Sequence, residues 1–156
     1  MPIRMLLIKI LALAGLLLPL TAQAGPASEL VAADNGTRAE LIEQWAATPT
    51  PEFLTLLQAL QDGNLLSDEA GSKAFLQTDK DIVDAETGQI VSVDADSLQP
   101  VMVNNRVRAA LDVALASTKI ADPDLAVRKQ AAEALLDGAN PALLPMVEKQ
   151  LTVESN

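Results

Sequence analysis

The chain has 156 residues, room for one domain, and contains neither cysteine nor histidine. Those absences remove disulfide frameworks, thiol nucleophiles and the usual imidazole-based zinc, copper and triad chemistry. A formal charge of −10 and a pI near 4.3 deny nucleic acid or an anionic membrane surface the basic footprint it needs.

Met1 to Ala24 reads as an export signal. Arg4 and Lys9 make a basic start, Ile10 to Leu20 an apolar run, and Ala22-Gln23-Ala24 a small-x-small cleavage site. The uninterrupted run is shorter than the ~18–20 residues that span a bilayer, which favours removal over anchoring. Loss of Arg4 and Lys9 from the 11 basic residues leaves 9 against 21 acidic ones over 25–156, a formal charge of −12. The expected location is the periplasm or the periplasmic face of an inner membrane, and 25–156 is expected to form a single domain.

Residues 34–63 predict a first helix pair. Leu41, Ile42 and Trp45 share one face, Thr48-Pro49-Thr50-Pro51 breaks the helix, and Phe53, Leu54, Leu57 and Leu60 form the next face before Gly63 stops it. With two Phe, one Trp and no Tyr in the chain, the core must come from Leu, Val, Ile and Ala. Over 64–103 the helical period vanishes. Ala74–Gln77, Asp81–Val83, Gln89–Val93 and Val101–Val103 are short apolar or β-branched runs between turn formers, which predicts a small β-hairpin insert, either a functional protrusion or a plug over one edge of the helices. Asp79, Asp81, Asp84 and Glu86 are closely spaced, but Ala85 follows Asp84 and Ile90 stands where a calcium loop closes with glutamate, so the acids are expected to be turn carboxylates and the metal complement to be none. No cofactor-binding or catalytic pattern is present, and the protein is not expected to be an enzyme.

Residues 104–151 predict a long helix followed by a second helix pair. Asn104-Asn105 caps the long helix, which runs to about Lys119 with Val107, Leu111, Ala114, Leu115 and Thr118 inward and Arg106, Arg108 and Asp112 toward water. Arg106 and Arg108 flank the insert and are the candidate partner contacts. They would either bridge to the acidic hairpin or anchor a partner carboxylate. In Asp122 to Leu151 an Asp-Pro start precedes a stripe of Val127, Ala131, Ala134 and Leu135. Gly138 stops that helix, Asn140-Pro141 opens another, and Leu143, Leu144, Val147 and Leu151 form a second stripe. This unit is expected to organise the chain, with Leu135 in the core and the stripe containing Leu143 and Val147 uncovered. A shift of 90 residues lays the first pair on it: Asp34 on Asp124, Arg38 on Arg128, Trp45 on Leu135 and Pro51 on Pro141. Residues 152–156 form a tail.

Asp122-Pro123, Val127-Arg128, Ala131, Ala134-Leu135 and Pro141 resemble a HEAT-type repeat, which implies a mainly α fold, a short α-α superhelix of antiparallel helix pairs with the β insert between them. Val103-Asn104-Asn105-Arg106-Val107-Arg108, the Ala/Leu helix, Asp122-Pro123 and Ala131-Ala132-Glu133-Ala134-Leu135, taken in order after the signal, are similar to the amino-terminal extracytoplasmic extension of the bacterial urea ABC transporter permease, a member of the branched-chain amino acid permease family. The resemblance implies a part in urea import across the cytoplasmic membrane through contacts with permease and ATPase subunits and a periplasmic urea-binding protein. It implies membrane association only through the family's multi-helix domain. That domain is missing here, so the expectation is either a fragment of the permease or an extension made as a separate polypeptide. The rival expectation is a stand-alone periplasmic protein-binding scaffold unrelated to transport.

Overall fold

The computed structural model describes residues 25–138 and 140–154. The export signal, with Ala22 and Ala24, lies outside the described residues. In chain order the elements are α1 (Pro26–Ala32), α2 (Asn35–Ala47), α3 (Pro51–Asp62), β1 (Leu65–Ser67), β2 (Ala74–Gln77), β3 (Ile82–Asp84), a 3-10 turn (Ala95–Ser97), β4 (Gln99–Pro100), α4 (Asn105–Lys119), α5 (Leu125–Asp137), a second 3-10 turn (Pro141–Leu143) and α6 (Leu144–Val153). The fold is mainly helical with one small antiparallel sheet.

Most helix starts follow from local chemistry. Asp34 accepts from the amides of Gly36 and Thr37, Thr50 from Phe53, Asn104 from Val107 and Asp124 from Ala126, each satisfying an N–H that the helix leaves without a partner. Gly63 ends α3 at φ 76°, a left-handed turn that a Cβ would strain. Across the α2–α3 turn the Trp45 and Phe53 rings stack 4.4 Å apart, pinning the two helices where Pro49 and Pro51 break them.

The core is centred on α4, not on the 122–151 unit expected to organise the chain. Leu111 and Val107 of α4 are buried with Ile42, Leu57, Leu60 and Leu30, each worth about 1.5–3 kcal/mol of transfer free energy. α2 and α4 make the most extensive contact of any two elements, and both present alanines to this core, Ala39 and Ala46 from one and Ala110 and Ala114 from the other. Beyond the expected stripe, Val113, Ala116 and Ser117 are also buried, because α5 covers a second side of α4. Ala131 is the only fully buried residue of α5, and α6 has none. Leu135 is half-buried. Leu143, expected to be uncovered, is buried at the α2 side, because the second 3-10 turn folds back against α2.

The insert is larger than a hairpin. Its four strands run in the order β3-β2-β1-β4, all antiparallel, with Leu65 opposite Leu76, Leu66 opposite both Phe75 and Pro100, and Phe75 opposite Asp84. β1 has no counterpart among the expected runs. The Gln89–Val93 run contributes only an isolated bridge, Ile90 to Val83, and β4 falls just before the Val101–Val103 run. The period of two explains how the insert joins the helices. Leu65 and Ala74 face the main core, while Leu66 and Phe75 face a second cluster closed by Leu98, Val91 and Val93. One face of the sheet therefore packs onto the helices, while the other carries an apolar cluster made of insert residues alone.

A helix absent from the sequence pattern, α1, buries Ala27, Leu30 and Val31 against the core. Both its ends are held by residues outside it. Arg38, buried in α2, donates from Nε to the Leu30 carbonyl and from Nη2 to those of Val31 and Ala33, and its Nη1 reaches Asn35 Oδ1 and the Met102 carbonyl. At the other end the N-cap is Gly25, which has no side chain to offer, and the Ser28 N–H instead donates to Glu86 Oε1 at 2.6 Å, across 58 residues. Among the described residues no helix is long and apolar enough to cross a membrane.

Candidate functional site

The candidate contact residues Arg106 and Arg108 lie in the first turn of α4, both exposed. Arg106 Nη2 sits 3.3 Å from Glu40 Oε1 of α2, so its partner is a helix carboxylate and not an acid of the insert. With both side chains largely in water, that pair contributes little. Arg108 forms no ion pair among the described residues.

Arg106 stands at one end of a trough along α4. A groove of about 400 Å³ is lined by Arg106, Glu43 and Asp137 together with Ala109, Ala110 and Val113. It runs into a second groove of about 460 Å³ between α4 and α5, which shares Ala109, Val113 and Asp137 and ends at Asp112, Lys119 and Gln61. Small side chains and both signs of charge make the lining, an arrangement suited to an extended polar segment and lacking any reactive constellation. Gly138, the C-cap of α5, lies in this lining, where a Cβ would run into Val113 Cγ2.

Beyond Asn140 and Pro141, which line both this trough and the next groove, the surface changes character. Leu136, Leu144, Leu151 and Val153 are mostly exposed, and Leu144 borders a nearly apolar groove of about 400 Å³ with Ile120, Leu135 and Val147. The last turn of α6 is tied down: Arg128 donates from Nε and Nη2 to Glu154 at 2.7 and 3.0 Å, and from Nη1 to the carbonyls of Asp122 and Pro123. The Glu154 carboxylate raises the Arg128 guanidinium above its ordinary value. Arg38 occupies the equivalent place 90 residues earlier, also reaching back to carbonyls ahead of its own helix, but its burial lowers its pKa, with Asp34 opposing.

Of the closely spaced acids Asp84 builds its own turn, whereas the Glu86 carboxylate accepts from the Ser28 amide of α1. Asp84 Oδ1 accepts from the amides of Glu86 and Thr87 and from the Thr87 hydroxyl, and Asp68 holds Ser72 and Lys73 in the same way. These donors, the backbone amides first, hold both carboxyls below their ordinary value. Among the described residues no three acids converge on a point that could hold a metal ion. The sequence pattern marks Arg106 and Arg108 but not the trough, whose charged residues come from α2, α4 and α5, nor the anchoring by Arg38 and Glu86. Comparison with protein-family models, with curated proteins and with solved structures gives no match.

Proposed function

We propose that the chain is the extracytoplasmic domain of a urea ABC transporter permease, a short HEAT-like solenoid that takes part in urea import by contact and not by chemistry. The order of parts in the sequence supports this reading. So does the recurrence at 90 residues of a helix capped by aspartate, Asp34 then Asp124, whose arginine grips preceding carbonyls, Arg38 then Arg128. The observation that carries a contact role is the exposed apolar end formed by Leu136, Leu144, Leu151 and Val153 beside the groove at Val147, since surface of this kind marks interaction sites. The occupant is a periplasmic urea-binding protein.

Titration of the processed protein with a purified periplasmic urea-binding protein, with and without urea, tests the reading. Saturable binding is expected, weakened at least ~10-fold by the pair Leu144→Lys and Leu151→Glu, which removes apolar burial without entering the core. Absence of binding near millimolar concentration sinks this partner and leaves the stand-alone scaffold, with the α4 trough as its binding surface, as the better account.

A further inference from the structure

We propose that the Glu86 carboxylate is the receptor for the α-ammonium group of Gly25 that is created when the export signal is removed, so that processing locks the β insert onto α1. The proposal rests on the reading that the chain is exported and cleaved after Ala24. Hydrolysis of the Ala24–Gly25 peptide bond by an export peptidase consumes one water. It leaves a carboxylate on the released leader and an amine on Gly25 that is protonated at neutral pH, since such amines titrate at about 7.7–8.0.

Three observations place this amine beside Glu86. The first is that one carboxylate oxygen, Oε1, already accepts the Ser28 N–H, which fixes the carboxylate over the start of α1. The second is that the other oxygen, Oε2, occupies the space that a Cβ on Gly25 would fill. That space is one bond from the Gly25 Cα, and the Gly25 nitrogen is bonded to the same Cα, so a free amine there lies within ion-pairing reach. Any side chain at 25 would push the carboxylate away, which gives the glycine at this position a reason other than backbone freedom, its φ being an ordinary −78°.

The third observation is that α1 cannot drift out of reach. Ala27, Leu30 and Val31 are buried, and the guanidinium of Arg38 holds the carbonyls at its far end. Pro26 opens the helix directly after Gly25, so no flexible residue separates the new terminus from the anchored turn. An uncompensated ammonium at a helix N-terminus opposes the helix dipole, and a carboxylate between the two relieves that repulsion. Glu86 belongs to the turn after β3 that Asp84 builds, so the ion pair would join the insert to the first helix of the processed chain.

The full chain is exported from an expressing cell, and the purified product is identified by intact mass and amino-terminal sequencing. Its melting temperature is then measured before and after selective acetylation of the α-amine, in the native sequence and in Glu86→Gln, where the amide oxygen can still accept from Ser28. The expected result is a fall of about 1–4 °C on acetylation of the native protein, no change in the variant, and faster exchange of the Ser28 amide in the acetylated native protein. An equal fall in both proteins, or none in either, overturns the capture of the amine while leaving the cleavage reading intact. A product that begins elsewhere than Gly25 overturns the cleavage reading, and the proposal with it.

Discussion

Arg38 donates five hydrogen bonds from one buried guanidinium, four to main-chain carbonyls and one to Asn35, and so joins α1, α2 and the segment after β4. A lysine has three donors on a point charge and cannot reproduce the planar fork. Arg38→Lys is therefore expected to destabilise the fold by about 2–4 kcal/mol in a urea denaturation series, since several carbonyls lose a charged donor at once. Arg106→Ala should stay within about 0.5 kcal/mol, because its bond to Glu40 is in water. Similar costs for the two would mean that Arg38 does not hold α1. The turn acids give a pH test. Asp84 has a folded pKa below its unfolded one, so the stability it contributes is present above about pH 4 and is lost as pH falls through the lower folded value. Asn in its place keeps an acceptor but does not titrate. The melting temperature of Asp84→Asn relative to the native protein is expected to be lower at pH 6 and to converge on it on acidification. A gap independent of pH would assign the Asp84 turn no part in acid weakening.

At the scale of elements, the sequence is legible where neighbouring residues decide the outcome. The caps at Asp34, Thr50, Asn104 and Asp124 and the stop at Gly63 act within one turn, and the helices they bound lie where the pattern places them. α1 is hidden because it is seven residues long and is held by Arg38 and Glu86 from elsewhere in the chain. β1 is hidden because Leu65-Leu66 becomes a strand only by pairing with β2 and β4 on either side. The stripe on α4 is visible in the pattern as one face, whereas contact with α5 buries a second. Only exposure can be read for Arg106 and Arg108, because the trough beside Arg106 needs Glu43 and Asp137 from two other helices. Contact between α4 and α5 carries its own prediction. Gly138→Ala should cost about 1–3 kcal/mol, because its Cβ meets a methyl group of buried Val113, and Val113→Ala should recover part of that loss. Denaturant midpoints of both single variants and the double variant measure the coupling. Strict additivity would show that Val113 is not what requires glycine at 138.

Across the whole molecule, burial falls from the core around α4 toward α6. α4 has eight buried residues where α6 has none, and α6 is secured chiefly by the Arg128–Glu154 pair and by the half-buried Met146 and Val147. Local opening free energy follows buried apolar contact, so α4 and α6 should not open together. Amides of α2 and α4 are expected to exchange only through global unfolding, while those of α6 exchange through a smaller opening at least ~10-fold more often. Occupation of the apolar end by a partner would remove this difference, because Leu144 and Leu151 would then be covered and the opening would cost the contact as well. Hydrogen exchange followed by mass spectrometry, with the urea-binding protein absent and then at saturation, reads both states in one experiment. Protection confined to α6 and the end of α5 on addition of the partner would identify the apolar end as the contact. Protection along Ala109 and Asp112 instead would move the contact to the trough, and the weak packing of α6 would then be a property of the free fold alone.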